Sequence, residues 1–133
     1  RFRDFLQTPL PGVIRAKGHF WLATRPDWAG EFSLAGAIVQ TRGMGFWWSA
    51  VPKERWPQDH ATRGRMQAAW DPVFGDRRQE IVFIGAADTM RVSAIIGMLE
   101  ECLVGDADAP VFEPEAWGAL PDPFPAWGRA AAA

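Results

Sequence analysis

Residues 12–24, GVIRAKGHFWLAT, place the tightest constraint on how this chain folds: Pro11-Gly12 signals a turn, and a long run of strand-favouring residues follows it. Side chains alternate along a strand, so Ile14, Ala16, Gly18, Phe20 and Leu22 fall on one side and Val13, Arg15, Lys17, His19 and Trp21 on the other. The first set reads as core. The second sets three basic or titratable groups among apolar neighbours, the composition of a sheet face that is either solvated or covered by something else.

Around this strand the spacing of apolar residues predicts the remaining elements. Phe2, Phe5 and Leu6 have the i, i+3, i+4 spacing of a short helix, stopped by Pro9 and Pro11. Residues 31–41 read as a second strand, small and apolar on both faces and therefore central. Arg42-Gly43-Met44-Gly45 reads as a hairpin connection into a third strand, residues 46–51, which Pro52 ends. A weak helical pattern covers residues 57–70, with Pro57 suited to its first turn. Residues 80–84 form a continuous apolar run of the kind found in a covered sheet. The clearest helix spans residues 88–103: Asp88 or Thr89 can cap it, Val92, Ile95, Ile96, Leu99 and Leu103 build one stripe, and Gly105 follows it. The order helix-β-β-β-helix-β-helix describes an α+β fold, a two-layer sandwich of a four-stranded sheet with helices on one face.

At 133 residues the chain fits one domain with a core that needs no staples. Residues 1–109 are expected to form the α+β body, and residues 110–133, rich in Pro but carrying Phe112, Trp117, Leu120, Phe124 and Trp127, an extended arm laid across it. The final alanines are expected to fray. Eight Trp and nine Phe without any Tyr imply a bulky core or aromatic patches left for a partner. Charge is uneven: residues 1–78 hold twelve Lys/Arg against seven Asp/Glu, and residues 79–133 hold two against nine. Such an asymmetry can orient a partner, or belong to a solvated surface. The single Cys102 excludes an internal disulfide and agrees with a reducing cytoplasm. No apolar run reaches the length of a membrane span, so no membrane partner is expected, and the chain, starting at Arg1, reads as part of a longer protein.

The segments GVIRAKGHFWLATRP and RRQEIVFIG, followed by a helix ending in LEECL, resemble the C-terminal domain of the CobW-like GTPases over residues 10–104. That resemblance implies an accessory domain of a GTP-dependent metallochaperone delivering zinc or cobalt, with a link to cobalamin synthesis in some members. It implies GTP, magnesium and zinc or cobalt for the parent protein, an upstream GTPase domain absent from this chain, and a client metalloprotein as further partner. The family's phosphate loop, magnesium ligands and C-x-C-C motif lie in that upstream domain and correspond to no position here.

The residues themselves agree in offering no catalytic constellation: G-x-x-x-x-G-K-S/T, G-x-S-x-G, H-E-x-x-H and paired cysteines are all missing. No catalytic or cofactor-binding residue is assigned. His19, His60 and Cys102 are the weak metal candidates, yet no two share an element at ligand spacing. Arg15, Lys17, His19, Trp21 and, from a neighbouring strand, Trp47 form the candidate protein-interaction set, since Arg and Trp often anchor such contacts. A solvated face with basic stems lying over Trp rings explains the same residues. Two other functions remain open: a stand-alone interaction module without a metal link, and a sheet binding single-stranded nucleic acid by phosphate attraction and base stacking. The net charge of −2 makes nucleic acid the least favoured partner.

Overall fold

The computed structural model describes residues 1–128; Arg129 and the terminal alanines, expected to fray, lie outside them. The elements run α1 (Phe2–Gln7), β1 (Val13–Phe20), β2 (Trp28–Ala35), β3 (Ile38–Phe46), α2 (His60–Ala68), β4 (Glu80–Gly85) and α3 (Val92–Glu100), with short 3-10 turns at Trp48–Ala50, Lys53–Arg55 and Pro114–Ala119. The strands form one antiparallel sheet in the order β3-β2-β1-β4, so the fold is α+β, with β1 and β2 central and β3 and β4 at the edges.

Ala16, Phe20 and Phe32 are buried at the centre of one sheet face, packed by Phe2 and Leu6 of α1 and by Val13, Leu34, Val39, Ile81 and Phe83 of the strands. Phe2 lies 4.7 Å from Phe20, ring to ring. Ile95 of α3 is also buried. α1 and α3 touch one another and, with the C-terminal segment, form the second layer.

Several elements fall elsewhere than their sequence suggests. Ala35 pairs with Ile38, so the hairpin is the two-residue turn Gly36-Ala37, with Gly36 at φ +61. Residues 31–41 are therefore the end of one strand and the start of another. Gly43 lies inside β3, not in a turn; a Cβ there would stand 3.0 Å from Trp127 and 3.1 Å from Trp28. β2 pairs Ala29 with Gly45 and Gly30 with Gly43, which leaves Met44 as the extra residue of a bulge. Residues 46–51 are no third strand, because β3 ends at Phe46 and Trp48–Ala50 is a 3-10 turn held by the buried Asp76, which accepts from Trp48 N and Ser49 N at 2.8 and 2.9 Å. A second irregularity, between Val13 and Arg15, shifts the alternation of β1: Val13 joins the core and Ile14 is exposed.

The helices are shorter than their patterns. α2 starts after Asp59, whose carboxylate accepts from Thr62 N, so Pro57 lies before the helix. α3 starts after Arg91 without a side-chain cap; Asp88 and Thr89 belong to the preceding turn, closed by Met90 N donating to Ala86 O. Of its apolar stripe, Ile95 is buried while Val92, Ile96 and Leu103 are exposed.

Residues 110–128 pack against the body. Trp117 is buried and its indole N–H donates to Pro110 O. Arg25 holds the last stretch: Nε donates to Asp122 at 2.8 Å, Nη2 to Phe124 O at 2.7 Å and Nη1 to Pro125 O at 2.8 Å. Its guanidinium also stands 4.6 Å from the Trp127 ring centre.

Candidate functional site

Cross-strand partners in an antiparallel sheet point to the same face, so the register defines the face opposite the core. One row is Ile84, Arg15, Ala35 and Ile38; the next is Val82, Lys17, Ser33 and Gln40; the third is Glu80, His19, Glu31 and Arg42. Ile38, Val82 and Ile84 are exposed by 66%, 60% and 57%, and Arg15 and Lys17 are exposed between them. Residues 31–35 of β2, expected to be covered on both sides, thus have one open face, as does the apolar run of β4.

Charge on this face is organised by Glu31, which takes Arg42 at 2.9 Å and Lys17 at 3.9 Å. Pairs this exposed contribute little to stability. Arg15 has no ion-pair partner among the described residues. The result is an apolar strip, Val82 to Ile84 with Ile38 across the sheet, interrupted by two cationic side chains.

The five residues expected to share this surface separate. Arg15 and Lys17 occupy it. His19 sits at its end, partly buried, with its ring 6.0 Å from Trp47 and its Nε2 buried without a hydrogen-bond partner. Trp47 is itself buried, donating from Nε1 to Trp28 O, and offers no exposed ring. Trp21 lies beyond the end of β1, where the alternation no longer applies; it packs on Phe74 and Trp117 at 5.2 and 5.5 Å on the helical side. Ile38, Val82 and Ile84 are the members that sequence reasoning missed. A stricter reading of β4 as an alternating strand, Glu80-Val82-Ile84 against Ile81-Phe83, would have found two of them.

A second concavity lies on the helical side. A cavity of about 520 Å³ is walled by Phe20 and Ile81 of the sheet, Ile96 and Leu99 of α3, and Val111 and Trp117 of the C-terminal segment. Cys102 reaches its wall; burial pushes the thiol pKa up, and Sγ donates to Met98 O at 3.3 Å, so this is a packed, protonated sulfur.

His19 on β1, His60 at the start of α2 and Cys102 after α3 stand on separate elements, and among the described residues no three His, Cys, Asp or Glu side chains are grouped to hold a metal. The sequence carries no G-x-x-x-x-G-K-S/T phosphate loop. No described helix is long and apolar enough to cross a membrane.

Residues 1–103 match the family described as the cobalamin synthesis protein CobW C-terminal domain. The chain belongs to that family. Among curated relatives, a protein of Dictyostelium discoideum named zinc-regulated GTPase metalloprotein activator 1 is 37% identical over 97 residues, covering 73% of this chain and 20% of its own length. A Mycobacterium tuberculosis protein named as a zinc chaperone is 30% identical over 120 residues, covering 89% of this chain and 29% of its own. This CobW C-terminal domain thus spans less than a third of either relative. No solved structure matches it.

Proposed function

We propose that this chain is the accessory domain of a GTP-dependent metallochaperone of the reducing cytoplasm, with zinc as cargo and GTP hydrolysis carried out by a separate upstream domain. The observation that carries this reading is the family match over residues 1–103, in a chain whose sequence has no phosphate loop and whose described residues group no metal cluster. Zinc is preferred to cobalt because the two curated relatives named above carry zinc in their names, whereas the family description names cobalamin synthesis and no metal.

Within that protein, the open sheet face is the contact surface for the GTPase domain. Support comes from its composition: exposed Ile38, Val82 and Ile84 supply apolar area, and Arg15 and Lys17 supply cations that fit an acidic partner surface. The test is a titration of the chain with the separately expressed GTPase domain at low and high salt, alongside a melt. Reversal of both cations, Arg15→Glu with Lys17→Glu, should leave the melt nearly unchanged and weaken binding, more so at low salt. Unchanged binding with a large loss of stability would place both residues in the fold's own polar network and remove the reading.

A further inference from the structure

The apolar surface on the helical side does not stop at the cavity. Ile96 and Leu103 belong both to its wall and to the exposed surface; Val92, one helical turn before Ile96, and Phe112, beside Val111, extend it in both directions. Val92, Ile96, Leu103 and Phe112 are each at least half exposed. A small molecule filling about 520 Å³ would leave Val92 and Phe112 in water, so the surface calls for something longer.

Carboxylates predominate around it. Glu100 lines the cavity, and Glu101, Asp106, Glu113 and Glu115 are exposed close to lining residues in the chain. None of the five is in an ion pair among the described residues, and Asp108 is taken by Arg1 at 2.6 Å. Arg91 is the one basic residue between positions 91 and 117, and Arg1, which reaches this edge by donating to Glu101 O and Leu103 O, is paired with Asp108. An apolar groove bounded by unpaired carboxylates fits an amphipathic helix whose apolar stripe is flanked by Lys or Arg.

We propose that the groove between α3 and the C-terminal segment is a second docking site, on the opposite side of the domain from the open sheet face, and that it takes a basic amphipathic helix of a partner protein. The apolar side chains of that helix lie along Val92, Ile96 and Leu103, one of them enters the cavity against Trp117, and its cations meet Glu100 and Glu113.

The test uses the 133-residue chain and a synthetic amphipathic helix of about three turns, with Leu on one face and Lys beside it. Saturable binding is expected, read from indole fluorescence and calorimetry. A scrambled peptide of the same composition, and one with Glu in place of Lys, should each bind at least about tenfold more weakly. Ile96→Glu separates groove docking from bulk attraction, because it adds a negative charge: docking predicts weaker binding, a merely electrostatic association predicts stronger. Glu100→Lys with Glu113→Lys should weaken binding while leaving the melt unchanged, both side chains being exposed. Four results overturn the proposal: no saturable binding, equal binding of the Lys and Glu peptides, a small apolar dye that the peptide cannot displace, or a concentration-dependent dimer dissolved by Ile96→Glu, which would make a second copy the occupant.

Discussion

Arg25 and Asp122 stand 97 positions apart in the chain and form a salt bridge of 2.8 Å in which both side chains are largely covered. Thr24 donates to the same carboxylate, and Phe124 N donates back to its other oxygen. The loop after β1 and the end of the C-terminal segment are therefore one hydrogen-bonded unit, above which Trp127 packs on Phe20 and Trp28. Arg25→Ala should remove the clamp while leaving Asp122 without its charge partner, at about 1–3 kcal/mol for charged hydrogen bonds of this exposure. Limited proteolysis and a denaturant titration read the outcome: cleavage within residues 110–128 should accelerate while the sheet stays protected.

Acid should have the same effect. Burial pushes the Asp122 pKa up, but the hydrogen bonds from Thr24 and Arg25 outweigh it and hold the carboxyl below its ordinary range. Because the folded value lies below the unfolded value of about 4, the contribution is complete above that pH and is lost as pH falls through the folded value. Melting temperature should be level near neutrality and drop below about pH 4. Asp122→Asn should start lower at neutral pH and show a shallower acid slope; a slope equal to the parent's would mean that other carboxylates govern it.

α3 offers two adjacent residues with opposite surroundings, Ile95 at 6% exposure and Ile96 at 50%. Ile95→Ala should cost roughly 2–5 kcal/mol through lost burial and a residual cavity. Ile96→Ala should stay within about 1 kcal/mol. Equal costs in urea unfolding would show that the stripe is covered on both sides, and would leave no groove for a helix.

This pair also marks how far the sequence could be read. The α+β class, the element order, the organising strand and the last helix were legible because periodicity reports which elements form. It does not report which side of an apolar stripe stays uncovered, since Ile95 and Ile96 are chemically the same residue. The hairpin was misplaced for a related reason: Gly36-Ala37 sits in a run of small apolar residues that resembles a buried strand, while Arg42-Gly43-Met44-Gly45 resembles a turn. Gly43 is needed for a different purpose, the close approach of Trp127, a contact with no local signature. For the site, Arg15 and Lys17 followed from alternation alone, and the misassignment of Trp21 came from continuing that alternation past Phe20, where β1 ends.

Gly18 provides a test of the sheet that positions both surfaces. It pairs with Phe32 on one side and Ile81 on the other, at the middle of β1. A Cβ added there would collide with the carbonyl oxygen of Glu80 and come within 2.5 Å of the Ile81 Cα. These are backbone atoms, so no side-chain rotation relieves the clash. Gly18→Ala must therefore separate β4 from β1 locally or shift their register, and a one-residue shift would exchange Val82 and Ile84 with Ile81 and Phe83 between the faces. Steric strain in a packed region costs typically about 1–3 kcal/mol. Amide exchange locates the damage: protection should fall along β4 and the facing half of β1, while the β2–β3 pairing, which Gly18 does not touch, keeps its protection. A uniform loss across all four strands would mean that the sheet opens as one unit, and an unchanged exchange pattern would mean that the close approach of β4 to Gly18 is absent in solution.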